Sequence, residues 1–442
     1  MRSTVDPLAP FAGADGTGYR AAAADVPSPS SPTVKPIGSS IFVVYQQNGI
    51  TLEFSRISDH RDTLSAEVTI TSLGAGEIAW SRVNNLASVQ GRNTLAKAAE
   101  ETSPEAPWRE VVDQSCRLVA RHLRKGEPLV TLTGKVTSPT RELMPRLLYE
   151  GESTQIYADG DSGKSLTALT IAIAVAAGVS LPFGLKPVCA VPVVYLNWEA
   201  AGQDTHEERL SLISAGLGID PPPILYKWMK RPLVDEAPGL TTEFAQRGVG
   251  LVIVDSKMFA VAGGDGAAFH EPITQFYNAL RLFAPAATLV LNHVTNDAAR
   301  NGGPARPFGG AFAFNGPRLI WEAKRDHDVE DATAIVFTCR KANNLPRKPE
   351  PFGLRFQPGD GTITVYPFNL AEAAPQAVGG ASLGYRIRLA LAAGDLAAPD
   401  IAENLGADEK SVRRTLERMR GKGSVVTIAD TKPQRWGLAD AR

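Results

Sequence analysis

The stretch "IYADGDSGKS", residues 156–165, decides how the rest of the chain is read. Gly163, Lys164 and Ser165 end it like the phosphate-loop pattern G-x-x-x-x-G-K-[ST], but Ala158 stands where that pattern opens with glycine. Apolar residues lead into it, and a helical pattern runs from Lys164 to about 178. In that setting backbone N–H groups and a helix N-terminus face a polyphosphate, with Asp159, Gly160, Asp161, Ser162, Gly163, Lys164, Ser165 and Leu166 as the cradle. Lys164 then reaches the outer phosphates and Ser165 can ligate Mg²⁺. The bland alternative is an ordinary glycine-rich turn before a helix. Alanine does not readily take positive φ, so Ala158 is expected in an extended conformation at a strand end.

Working outward, residues 136–368 alternate apolar strands with helices: "TQIYADG", the helix after Lys164, "VPVVYLNWE", a helix near 203–215, "VGLVIVDS", a helix near 271–283, and "ATLVLNHVT". Strands separated by helices imply a parallel sheet with crossovers. "RLIWEAKR", "ATAIVFTCRKAN", "FGLRFQ" and "TITVYP" read as further strands closing one side, the last two joined at Gly359-Asp360-Gly361.

Polar residues at strand ends carry the candidate chemistry. Glu199 ends "VVYLNWEA", where a carboxylate faces the crevice of a parallel sheet and can polarise a water attacking a γ-phosphate; alternatively it caps the next helix. Asp255 ends "GLVIVDS", the shape of a strand whose aspartate holds a Mg²⁺ shell, or else a turn residue. Asn292 and His293 end "TLVLNHVT", where a polar pair can sense a γ-phosphate, although a lone histidine is as readily a satisfied core residue. Arg340 and Lys341 in "FTCRKANN" are cations able to complete a neighbouring subunit's site, with surface solvation as the alternative.

This order of stretches, with "HEERL", "GGD" and "RPFGGAFAFNGPRLIWE", resembles the RecA-like hexameric ATPases, specifically the RepA-type replicative helicase group and similar phage-encoded ATPases. The resemblance covers about 140–368. It implies an α/β fold with a mostly parallel sheet and helices on both faces. It further implies ATP with Mg²⁺ as cofactors, Lys164 and Ser165 on nucleotide and metal, Glu199 as catalytic base, Asp255 as the metal-holding acid, His293 as sensor, and Arg340 with Lys341 as inter-subunit cations. A cation supplied in trans needs head-to-tail contacts, which close into a ring if the rotation permits. The family's DNA contacts lie in loops corresponding to 256–269 and 296–312, which nominates Lys257, Arg300 and Arg306 for phosphates and Phe269, Phe308 and Phe312 for stacking. Mobile solvent loops with incidental charges are the alternative. Ala158 departs from the family pattern, as does the short "WEA" where relatives often carry a longer acidic stretch.

The flanks differ in texture. Residues 1–38, rich in Pro, Ser, Ala and Gly, read as a disordered tail. Short β-rich runs with a hairpin signal at Asn48-Gly49, then helices around 92–101 and 107–123, suggest a small α+β module at 39–135 whose chemistry is not readable. Residues 369–383 have linker composition. From 384 to 442 three helices and two short β runs around a Lys-Pro turn resemble a winged helix-turn-helix, whose third helix nominates Arg413, Arg414 and Arg418 for DNA; the same helix also carries Lys410. A charged face on a protein-binding domain is the alternative.

Composition adds limits. The net charge is −1, from 46 Lys+Arg against 47 Asp+Glu, so a nucleic-acid partner must be met by local patches. Cys116, Cys189 and Cys339 are too widely spaced for zinc or a disulfide scaffold, which fits a reducing cytoplasm. The start lacks a signal-peptide core, and the longest apolar run, 169–179, is too short to span a bilayer, so no membrane partner is expected. The expectation is a Mg²⁺-dependent ring ATPase, a homo-hexamer or similar ring acting on single-stranded DNA as a replicative helicase beside replication partner proteins. A recombinase- or loader-like ATP switch and a non-hydrolysing DNA-binding regulator stay open.

Overall fold

Apolar residues alternate with polar ones in the first described part of the chain, and it folds as a half-buried antiparallel sheet. The computed structural model describes residues 32–439 except 61–62, 127–128, 130, 135–140, 200–201, 262–269, 295–305, 344, 379–380, 393 and 429–431. Strands β1 (Thr33–Ile37), β2 (Ser40–Tyr45), β3 (Ile50–His60), β4 (Thr63–Ser72) and β5 (Gly76–Val83) pair in chain order. Between β2 and β3 the chain turns through Gly49 at φ 62°, as the Asn-Gly pair anticipates. Helices α1 (Val89–Thr102) and α2 (Trp108–Lys125) bury Leu95, Trp108, Val112 and Cys116 against Val43, Leu52, Phe54 and Val68 of the sheet. Strand β1 lies inside the stretch whose composition suggested a tail: a Pro-containing strand is tolerated at a sheet edge, where Pro36 sits.

After a small hairpin, β6 (Glu142–Met144) and β7 (Leu148–Tyr149), the chain builds one nine-stranded sheet. Its strands are β8 (Ser153–Ala158), β9 (Val193–Asn197), β10 (Leu225–Trp228), β11 (Leu251–Asp255), β12 (Ala287–His293), β13 (Leu319–Asp326), β14 (Thr333–Ala342), β15 (Phe352–Gly359) and β16 (Thr362–Pro367). They are ordered β10-β9-β11-β12-β8-β13-β14-β15-β16; the first six run parallel and the last three antiparallel. Strand β8 therefore lies between two parallel neighbours, and β12 separates it from β11. Buried on both faces, the central strands are continuous apolar runs.

Helix α3 (Lys164–Ala177) is buried almost all round and joins α4 (Gln203–Leu217) on one face. The helices α5 (Leu233–Gln246), α6 (Lys257–Ala260) and α7 (His270–Arg281) cover the other, packing Leu240, Phe244, Phe276 and Leu280 on Val252, Val254 and Val290; α8 (Gly310–Asn315) packs on α7. This is a RecA-like fold: a mostly parallel sheet with helices on both faces. Strand β10 and helix α5 were not anticipated from sequence. Pro238 inside α5 suppresses the helical reading by removing one N–H donor. The first module docks there: Thr242 donates to the Ile37 carbonyl at 3.3 Å, and Ser39 to that of Pro238.

The segment expected as a linker is docked too. It forms α9 (Pro375–Val378), Ala377 and Val378 pack with Ala334, Val336 and Phe368, and Asp326 accepts from the Ala374 amide at 2.7 Å. Helix α10 (Leu383–Ala392), strand β17 (Leu396–Ala397), helices α11 (Ala398–Leu405) and α12 (Glu409–Gly421), then β18 (Val425–Thr427) and β19 (Arg435–Leu438) follow. They close their own core around Ile387, Ile401, Val412, Leu416 and Trp436, with sheet order β17-β19-β18. Among the described residues no helix is long and apolar enough to cross a membrane.

Candidate functional site

Parallel strands end on one edge of their sheet, so the residues at and just beyond the ends of β8, β9, β11 and β12 converge there. Of these, Gly160–Leu166, Glu199, Asp255 and His293 line a cavity of about 550 Å³ together with Arg209, Arg325, Thr333, Phe356, Pro358 and Ile363.

The loop after β8 has the backbone its residues dictate. Ala158 ends the strand outside the left-handed region; the residues that enter it are Asp161 at φ 53° and Gly163 at φ 78°. A Cβ on Gly163 would also lie 2.7 Å from Ile335 Cδ1. The glycine that opens the usual pattern is thus not needed for this conformation, whereas Gly163 is required by both φ and space. Asp161 is held by Arg325 of β13, whose Nη1 donates to its backbone carbonyl at 3.1 Å and its Oδ2 at 3.0 Å.

Lys164 opens α3 and is buried, its Nζ donating to the carbonyls of Asp159 at 2.6 Å and Ala158 at 3.3 Å. Burial lowers its pKa, opposed by the carboxylates of Asp255, Glu199, Asp159 and Asp161. Asp255 is almost wholly buried. Tyr195 donates to its Oδ2 at 2.5 Å and the Ser165 hydroxyl also bonds to it; burial nevertheless raises its pKa, those two bonds opposing. The Asp255–Ser256 peptide is cis.

Glu199 sits beyond β9 in a turn tied by buried Asn197, which accepts from the Glu199 amide at 3.0 Å and donates to Tyr226 Oη at 2.9 Å. Its Oε1 accepts from Ser256 Oγ at 2.5 Å and lies 3.5 Å from His293 Nε2, both side chains being 31% exposed. The His293 bond is the largest cause of a lowered Glu199 pKa, ahead of the opposing burial; Ser256 and the charges of His293 and Lys164 lower it further. The carboxylate is held ionised and half open to the cavity.

The other sequence candidates fall elsewhere. Arg340 is paired with buried Glu322 of β13, Nη2 to Oε2 at 2.6 Å, and Lys341 Nζ donates to the carbonyls of Phe314, Asn315 and Pro317 at 2.7–3.0 Å. Neither lines the cavity of its own chain. Lys257, expected to meet phosphates, is only 1% exposed: the turn of α6 points it inward, 5.2 Å from the Tyr277 ring, and burial pushes its pKa down to about 7. A surface DNA contact by Lys257 is therefore corrected to a buried position. Arg306 is exposed, Phe308 half-buried and Phe312 46% exposed, while Arg300 and Phe269 lie outside the described residues. Lys410, Arg413, Arg414 and Arg418 are exposed on α12, and Arg413 bonds Glu409 at 2.6 Å.

Sequence reasoning missed Arg325, Arg209, Tyr195, Asn197 and Ser256. Arg209 stands in the quoted "HEERL", Ser256 beside Asp255 and Asn197 two residues before Glu199, but Arg325 and Tyr195 take part only because strands distant in sequence pair with one another.

A glycine-rich loop between strand and buried helix, with a lysine, a hydroxyl and a strand-end carboxylate convergent on it, defines a RecA-like P-loop ATPase domain. Residues 127–299 match the AAA domain family. Among solved structures, a KaiC-like protein from the hyperthermophilic archaeon Pyrococcus horikoshii OT3 is similar over 52% of this chain and 100% of its own, at 15% identity and a TM-score of 0.36. No curated protein matches the chain.

Proposed function

We propose that the chain hydrolyses ATP with Mg²⁺ in this cavity and does so as a ring-forming ATPase acting on DNA, a replicative helicase. The observation that carries the hydrolytic part is Glu199: an ionised carboxylate at a strand end, facing the same cavity as Lys164 and Asp255. The donor set fits Mg²⁺, which favours one or two protein oxygens completed by phosphates and water over an all-protein cage. Ser165 and Asp255 would hold the ion, which when bound neutralises charge developing on the phosphates.

The chain's own residues do the rest. The 160–166 loop and Lys164 bind the phosphates, and Lys164 exchanges its strand-end carbonyls for phosphate oxygens. Glu199 orients the attacking water and takes its proton; His293 and Ser256 hold it on station. Arg340 and Lys341 serve a neighbouring subunit only by leaving Glu322 and the 314–317 carbonyls, so Arg325, which lines the cavity of its own chain, is the better supported cation.

Action on DNA is supported by exposed Arg306, next to the Pro307 bridge beyond the β12 end, and exposed Phe312, and by three helices and a three-stranded sheet at the C-terminal end, compatible with a winged helix, with Arg413, Arg414 and Arg418 outward. The testing experiment is turnover of Mg·ATP by wild type and Glu199→Gln, with and without single-stranded DNA, beside a mass measurement and strand displacement on a fork. The reading expects a loss of about 10²–10⁴-fold in the variant with nucleotide still bound. Equal turnover overturns the base assignment. DNA-stimulated turnover without displacement favours a loader- or recombinase-like switch.

A further inference from the structure

Two short paths run from Glu199 to Phe308. Ser256 donates to the Glu199 carboxylate, and the next residue, Lys257, reaches the Phe308 carbonyl at 3.5 Å. The His293 ring lies against the same carboxylate, and the His293 carbonyl accepts from the Phe308 amide at 2.7 Å. Asn292 adds a second donor, 3.0 Å from the Phe308 carbonyl, and also donates to Gln155, whose amide reaches the Ala313 carbonyl. Both backbone groups of Phe308 are thus bound, each by a residue that touches Glu199 or adjoins one that does.

Lys257 is the unexplained member. It is buried, and among the described residues it has no ion pair. Burying an amine without a carboxylate is costly, and an apolar side chain of equal length would fill the space without that cost. What an apolar side chain would lack is a donor to Phe308 and a cation 5.2 Å from the Tyr277 ring, and of these the first joins it to the segment bound to His293. Gly309 keeps the approach open: at φ 102° it has no Cβ, and one placed there would crowd Ile273 at 2.6 Å and the Lys257 amine at 3.4 Å.

We propose that Lys257 is a positioning residue that fastens the segment around Phe308 to the turn holding Glu199, so that engagement of the carboxylate sets the placement of residues 306–314. That segment carries exposed Arg306 and Phe312. The proposal rests on the ATPase reading, since nucleotide is what would draw on Glu199 and His293.

The test is amide hydrogen exchange of residues 307–316 in the full chain, with and without a non-hydrolysable Mg·ATP analogue. The Phe308, Ala313 and Gly316 amides, bonded to His293, Gly309 and Phe312, report on the segment. Wild type should change its exchange there by about fivefold or more on binding. Lys257→Met should exchange about tenfold faster without nucleotide and respond less than about twofold to it, while analogue affinity stays within about threefold. Ser256→Ala leaves Lys257 in place but frees the turn from Glu199; it should also weaken the response, leaving only what the His293 path carries, with exchange near the wild-type level when nucleotide is absent. That second result is one a purely structural lysine does not produce, and Ser256→Ala decides alone if Lys257→Met fails to fold. A full response in either variant overturns the linkage and leaves the ATPase reading standing. Absence of analogue binding to wild type overturns both.

Discussion

The phenol of Tyr195 donates a 2.5 Å hydrogen bond to Oδ2 of Asp255, although the two belong to different strands and both are buried. In the β9–β11 register Tyr195 pairs with Ile253, so its ring reaches two residues forward to meet the carboxylate. A buried carboxylate needs such donors, and Ser165 is the other. Tyr195→Phe leaves Oδ2 short of one. We expect a loss of about 1–3 kcal/mol in a denaturant melt and a higher Mg²⁺ concentration for half-maximal turnover. An unchanged melt would show that Asp255 does not depend on the phenol.

His293 is the first cause of the lowered Glu199 pKa. A lowered carboxylate pKa keeps Glu199 ionised further into acid, so with Glu199 as the proposed base the acid limb of the turnover profile is expected below the ordinary glutamate range. Removing the bond in His293→Ala raises that pKa, and the limb moves to higher pH. A pH profile of kcat/KM for the two proteins checks the sign; an unmoved limb assigns it to another group.

Gly163→Ala meets two obstacles, the left-handed backbone and Ile335. The first costs about 1–3 kcal/mol. Because the strained residue sits inside the phosphate cradle, nucleotide affinity should fall more than about tenfold, a larger effect than the change in stability. A fluorescence titration with a labelled nucleotide measures it.

Burial pushes the Cys116 thiol up to about 12 and Cys339 to about 11, while Cys189 is exposed. At pH 8 one thiol per chain should react quickly with a disulfide reagent, and three after denaturation. The raised values also have a sign: protonated thiols contribute stability that is whole below the unfolded value near 8.5 and is lost as pH climbs toward 11–12. Two fast native thiols would contradict the burial.

The alternation of strands and helices around the phosphate loop was legible because buried parallel strands are uninterrupted apolar runs, each followed closely by the polar residue that matters, as with Asp255 and His293, whereas the order of the strands in the sheet was not. Two kinds of residue were not. Charges near glycines read as solvated, yet the turn of α6 sends Lys257 inward, and nothing in "DSKMFA" marks its direction. Arg340 reads as a free cation, yet its partner Glu322 lies 18 residues earlier on β13, adjacent only once β13 and β14 pair antiparallel. Helix α5 was hidden by Pro238, whose missing donor the packed helix tolerates.

The cavity draws its far wall from late in the chain. Thr333, Phe356, Pro358 and Ile363 close it, Ile335 fills the space beside Gly163, and β13 pairs with β8 along the edge that β12 leaves open. The AAA domain match ends at residue 299, before all of these. A cassette cut at that boundary would carry every motif residue up to His293 and still bare the phosphate-loop strand as an unpaired edge, a template for aggregation. The matched stretch is therefore shorter than the stretch that must be transplanted for the loop to keep its shape, and grafting this P-loop domain into another protein has to begin from the whole sheet.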